Sequence, residues 1–327
     1  MKSAFLESEL ELYVQRLLIH ESYATGHQYK MLKISPNEER LKGYDAEIIG
    51  MTSFYCQFKT SDLCSKGALY NKRQDFCATV SWPKTPFYSF ALRVPNDSDD
   101  KKRPERWQHN VLHSLWRLNQ SGVAYVAPLF HTRTEMALHE PNVHRGCCLC
   151  NPRYSGCGAG ATASSVTIEA GMVNGHMRCR LPIFDGLVSI PPHVPVKDLK
   201  HSYCFTSQAD VSFHSDPEEV RASSFNVSLQ GFVREAFAKQ GGAITDARMT
   251  LSGVRNLIGT GQEDSFLEAF LGFGLSRAGV SRQATQQSAA RFFEEEAPWL
   301  QQRIAFAAAL NAYFGISTIG LLKVREE

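Results

Sequence analysis

The run YDAEIIGMTSFYCQFKTS, residues 44–61, constrains the fold more than any other part of the chain. Phe54, Cys56 and Phe58 alternate with Tyr55, Gln57 and Lys59. That is the period of two of a β-strand, apolar on one face and carrying Gln57 and Lys59 on the other. Just upstream, Tyr44, Ala46 and Ile48 alternate with Asp45 and Glu47, and Gly50 between the two runs predicts a tight turn. Two strands joined so closely predict a hairpin on which Asp45, Gln57 and Lys59 project from one face.

The flanking sequence alternates helix and strand. Leu10, Tyr13, Val14, Leu17 and Leu18 fall at helical spacing and predict a helix over residues 4–19, with Ser3 placed to cap it. Tyr29 to Ile34 and Phe87 to Val94 read as strands. Arg106 to Asn119 reads as a helix with Val111, Leu112, Leu115, Trp116 and Leu118 on its apolar side, followed by a strand from Val123 to Leu129. This order places the first 140 residues in the α/β class. Strand signals return at Leu187 to Ile190, His201 to Thr206 and Val211 to His214. Helical patterns then take over at Leu229 to Ala238, Phe266 to Phe273 and Ala289 to Tyr313, before a last strand at Thr318 to Val324. The expected organisation is an α/β domain over 1–140, a cysteine-containing insertion with returning strands over 141–222, and a mainly helical region over 223–327.

With 43% apolar and 21% charged residues the chain can bury a sizeable core. Its formal net charge of +2 neither demands nor excludes a polyanionic partner, because phosphate attraction acts within a Debye length of ~8–10 Å. Acidic residues at Glu7, Glu9 and Glu11 interrupt the place where an export signal would be apolar, so none is expected. No run approaches the ~18 uninterrupted apolar residues of a membrane span. Nine cysteines, an odd number in a chain of this size, predict a reducing compartment and hence a cytoplasmic protein.

An acid, an amide and a lysine on one hairpin face suit metal-assisted phosphodiester hydrolysis. Hard oxygens hold Mg²⁺ or Mn²⁺, the metal polarises phosphate and acidifies a bound water, and an ammonium offsets developing charge. The order Asp45, then Gln57-Phe58-Lys59 followed by Thr60, resembles the PD-(D/E)xK nuclease superfamily, in particular its Mrr-like branch with Gln-x-Lys. Glu11 and the apolar residues after it are similar to that branch's glutamate-bearing first helix. The resemblance implies a restriction-endonuclease-like mixed sheet flanked by helices, here with a C-terminal helical subdomain. It also implies that Asp45 is the main metal ligand, with Gln57, the Phe58 carbonyl and Glu11 completing the metal site and Lys59 organising the attacking water. Gln57 stands where most members carry an acid, which removes one negative charge from the site. The activity implied is an endonuclease acting on DNA in preference to RNA, in restriction or antiviral defence, with a protein partner or a homo-oligomer as further associations. The same resemblance also admits a weakened site in a nucleic-acid-binding or scaffolding subunit. On helical spacing alone Glu7 and Glu9 compete with Glu11, and Glu47 is a reserve ligand.

A second cluster holds His144, Cys147, Cys148, Cys150 and Cys157. Cys147-x-x-Cys150 has zinc-knuckle spacing, and His144 and Cys157, or more distantly His176 or Cys179, would complete a structural Zn²⁺ site. Incidental buried thiols are the alternative. GCGAG at 156–160 lacks the Gly-Lys-Ser/Thr of a phosphate loop, and no Gly-x-Ser-x-Gly elbow occurs. Lys101, Lys102, Arg103 and Arg106 form a basic loop suited either to a phosphate backbone or simply to solvent.

Overall fold

The computed structural model describes residues 1–24, 29–33, 48–93, 100–118, 122–139, 169–173, 176–180, 186–198, 200–207, 210–214, 218–219, 229, 231–233, 235 and 299–324. The chain is mixed α/β. Its elements run α1 (Glu7–Ala24), β1 (Tyr29–Lys33), β2 (Ile48–Phe58), β3 (Asp62–Cys64), α2 (Ala68–Val80), β4 (Phe87–Ala91), α3 (Gln108–Leu118), β5 (Val123–Pro128) and α4 (Arg133–His139). They continue with β6 (Glu169–Val173), β7 (His176–Arg180), β8 (Leu187–Ile190), β9 (Ser202–Phe205), β10 (Val211–His214), β11 (Glu218–Glu219), α5 (Trp299–Phe314) and β12 (Ser317–Val324). Two short 3₁₀ turns, Asp100–Lys102 and Pro104–Arg106, lead into α3.

One five-stranded sheet has the order β1-β12-β2-β5-β8. Among the described residues its only parallel pair is β2 with β5, and that pair has α3 in the connection between its strands. The second sheet, β11-β10-β9-β4-β3, is antiparallel throughout, and β6 and β7 form a separate hairpin. The alternation read in the sequence decides how β2 and β5 are buried. Phe54, Cys56 and Phe58 join Ala124 and Val126 against Leu10, Tyr13, Val14 and Leu17 of α1. Tyr55, Val123 and Tyr125 face Val111, Leu112 and Leu115 of α3, together with Phe306, Leu310 and Phe314 of α5. Phe90, Tyr203, Phe205 and Phe213 of the second sheet extend this larger core. Each such aliphatic or aromatic side chain contributes about 1.5–3 kcal/mol on burial.

The turn expected at Gly50 is replaced by continuous strand. Gly50 lies inside β2 and pairs with Lys323 of β12. One edge of residues 48–56 thus pairs with a strand from the other end of the chain, with a register shift between Lys323 and Val324, so no hairpin return is needed. Gly50 marked a strand interior, where the absence of a side chain is tolerated, rather than a bend. Both faces of β2 are also buried near its end, so Gln57 and Lys59 stand inside the protein rather than on a polar surface.

The C-terminal strand was legible at its position, but its place between β1 and β2 was not. The sheet draws strands from all three expected regions, with β8 falling in 141–222 and β12 in 223–327. Helix α2 and strand β3 had no counterpart in the sequence reading. The reason is that α2 buries Arg73, Gln74 and Cys77, a face without apolar periodicity. Arg73 is 1% exposed. It donates to the Cys204 and Asp210 carbonyls at 2.9 and 3.0 Å, to the Ser212 hydroxyl, and to the Asp210 carboxylate at 3.1 Å. Among the described residues no helix is long and apolar enough to cross a membrane.

Candidate active site at the end of β2

Helix α1 starts with three glutamates, and each does something different. Glu9 accepts the Leu6 backbone N–H at 2.7 Å, which caps the first turn, and holds Arg133 through two oxygens at 3.0 and 3.1 Å. Those bonds, the Leu6 N–H first, keep its carboxyl below the usual carboxylate range. Glu11 accepts from Gln15 Nε2 at 3.2 Å, and its charge adds to burial in pushing the Cys56 thiol up to about 12. Glu7, one turn before Glu11 on the same helical stripe, reaches Lys59: Oε1 accepts from Nζ at 3.3 Å. The carboxylate at Lys59 is therefore Glu7.

Lys59 follows β2 and extends it by one bond, its backbone N–H donating to the Val126 carbonyl of β5 at 2.9 Å. The residue is 4% exposed. Besides Glu7, its ammonium donates to Gln108 Oε1, the first residue of α3, at 3.3 Å. Burial pulls the Lys59 pKa below the usual lysine value, against the attraction of Glu7 and with help from the like charge of Arg93. The ammonium is thus held between a carboxylate on one side of the sheet and an amide on the other. It has three protons and uses two here.

Gln57 is 3% exposed and donates through Nε2 to the Phe58 carbonyl at 3.2 Å. Its Oε1 is buried without a hydrogen-bond partner. An orphaned acceptor in the interior costs about 1–3 kcal/mol, so a cation there would satisfy it. With the neighbouring Phe58 carbonyl, which accepts from Gln57 Nε2, it offers oxygen donors of the kind Mg²⁺ or Mn²⁺ takes, with no cluster of carboxylates arranged beside them among the described residues.

Glu11, one turn after Glu7 on α1, bears on Cys56, which packs towards α1. Asp45 and Glu47 lie outside the described residues. Nine residue steps separate Ile48 from Gln57 in β2, roughly 30 Å at ~3.3 Å per step, so the start of this strand does not fold back on its end. Among the described residues no group of three or more His, Cys, Asp or Glu is arranged to hold a metal.

His144, Cys147, Cys148, Cys150 and Cys157 fall outside the described residues, so the expected zinc cluster has no described geometry. Cys56, Cys64, Cys77 and Cys204 are free thiols. The sequence reading named Glu7 only as a competitor of Glu11 for the site carboxylate, not as the partner of Lys59. It also missed Gln108, for which no local signal exists, since 49 residues separate it from Lys59. Set against family models, curated proteins and solved structures, the chain finds no match in any of the three comparisons.

Proposed function

We propose that this chain is a metal-dependent nuclease of the PD-(D/E)xK type that cleaves DNA in preference to RNA, with its active site at the end of β2. The observation that carries the reading is Lys59, a lysine buried and fixed by Glu7 and Gln108, two residues along the strand from the orphaned oxygen of Gln57. A buried ammonium held by defined partners has little to contribute to stability, because desolvation offsets its attraction to Glu7. Its place is better explained by chemistry, where a preorganised cation offsets charge developing on a phosphate. Gln57 Oε1 and the Phe58 carbonyl would hold the divalent cation, with carboxylate ligands completing the set. The cation supplies phosphate polarisation and a more acidic water. Lys59 orients what lies beside it and neutralises developing negative charge, while Glu7 keeps the ammonium in place. Restriction or antiviral defence is the setting that the resemblance suggests.

A second reading is favoured by the straight course of β2, which keeps Ile48 at the far end of the strand from Gln57. In that reading the fold serves as a nucleic-acid-binding or scaffolding subunit and does no chemistry. Mn²⁺ calorimetry and cleavage of supercoiled and linear DNA separate the two. A nuclease with its site here binds Mn²⁺, loses that binding in Gln57→Ala, keeps it in Lys59→Ala, and loses cleavage in both. A wild-type protein that binds DNA but neither binds Mn²⁺ nor cleaves in its presence rejects catalysis in favour of the binding module.

A further inference from the structure

We propose that Gln108 is the positioning residue for Lys59, and that through it the corner between α5 and β12 controls assembly of the active site. The catalytic meaning of this control rests on the nuclease reading; the linkage itself rests on the hydrogen bonds. Gln108 is 7% exposed, and its amide faces two ways. Oε1 accepts from Lys59 Nζ at 3.3 Å, and Nε2 donates to the carbonyl of Phe314, the last residue of α5. A primary amide suits this bridge because it offers an acceptor to a cation and a donor to a carbonyl at once. The Phe314 carbonyl accepts this bond at the C-terminal end of α5.

The corner is built to close tolerance. Gly315 turns the chain out of α5 with φ of +62°, in the left-handed region that favours glycine. A Cβ added at Gly315 would sit 3.0 Å from Arg93 Nη1 and 3.1 Å from Gln108 Nε2. Gln108 and Arg93 therefore pack directly against the corner, and a shift of the corner reaches Lys59 through one side chain. β12 leaves this corner to lie between β1 and β2, so the sheet anchors the corner next to the strand that carries the site. Whatever loosens the α5–β12 corner releases Gln108 from Phe314 and, with it, the second acceptor of the Lys59 ammonium.

The test follows the Lys59 ammonium by nuclear magnetic resonance in the full chain labelled with ¹⁵N-lysine, at one fixed pH, with Lys59→Met for assignment. In the wild type the signal exchanges with water at least ~10-fold more slowly than those of surface lysines, as expected of a buried, hydrogen-bonded group. Gln108→Leu and Gly315→Ala bring the exchange up towards the surface value. Slow exchange retained in a folded Gln108→Leu overturns the proposal. If that variant does not fold, slow exchange retained in Gly315→Ala does so. DNA cleavage with Mg²⁺ or Mn²⁺ is measured in parallel. A wild type without cleavage defeats the nuclease reading, while the exchange data still decide the linkage. With cleavage, Gln108→Leu lowers kcat at least ~10-fold at unchanged KM, as loss of positioning requires, and a loss confined to KM overturns it.

Discussion

His109, the second residue of α3, sets a stability that acid should remove. Its ring is 2% exposed and lies between Tyr125 and Phe213, with centroids 5.9 Å away in each case. Nε2 lies 2.8 Å from the Val194 carbonyl, which can only accept, so Nε2 carries the proton and donates. Nδ1 is then the acceptor for the Tyr125 hydroxyl at 2.8 Å. Burial, aided by the charges of His113, His201 and His193 and opposed by the bond to Val194, brings the His109 pKa down to about 4 from its ordinary 6.5. In the unfolded chain the imidazole takes a proton below about pH 6.5, and in the folded chain only below about 4. The unfolded state therefore binds more protons in that window, and stability falls with falling pH, by up to ~1.4 kcal/mol per pH unit. Full stability is present above about pH 6.5, and the whole contribution, ~3.4 kcal/mol for a shift of about 2.5 units, is lost once pH passes below about 4. Between pH 7.5 and 4.5 the loss from His109 is ~2.5 kcal/mol. Urea unfolding over this range, comparing wild type with His109→Gln, isolates it, because the carboxylates titrate in both proteins and cancel. The variant is expected to be less stable at pH 7.5 by ~1–3 kcal/mol, having left the Tyr125 hydroxyl without its acceptor. Its stability should then fall with acid by ~2.5 kcal/mol less than that of the wild type. Parallel pH profiles would refute the account of His109 as a neutral, buried, hydrogen-bonded imidazole.

Three further predictions concern the interior. Arg73→Met leaves the Asp210 carboxylate buried without its partner and should cost ~3–5 kcal/mol, read as a lower urea midpoint or, if the margin is exhausted, as loss of soluble protein. Leu10→Ala opens a cavity between α1 and β2 where Leu10 is 0% exposed, and should cost ~2–5 kcal/mol in equilibrium unfolding. Lys59→Met should abolish metal-dependent cleavage at a stability cost of no more than ~1–3 kcal/mol, since relief of ammonium desolvation offsets the donor lost to Gln108 Oε1. A larger loss of stability would make Lys59 a structural residue instead.

What the chain disclosed on its own was local and periodic. α1, β2, β5, α3 and β8 to β10 were legible because each buries apolar side chains at the spacing of its own secondary structure. Gln57 and Lys59 stood out for the same reason, as polar positions in an otherwise apolar alternation. α2 was invisible because its buried face is Arg73, Gln74 and Cys77, and its burial depends on acceptors at Cys204, Asp210 and Ser212, more than 130 residues away. The tertiary structure alone decided that β12 pairs with β2, which turned an expected hairpin into one long strand. It alone brought Glu7 and Gln108 to Lys59, and Phe314 to Gln108. Hydrophobic period records which face of an element is buried, but says nothing of the element that buries it. Pairing partners and the acceptors of a buried cation are set by packing between distant segments, which leaves no local mark in the sequence.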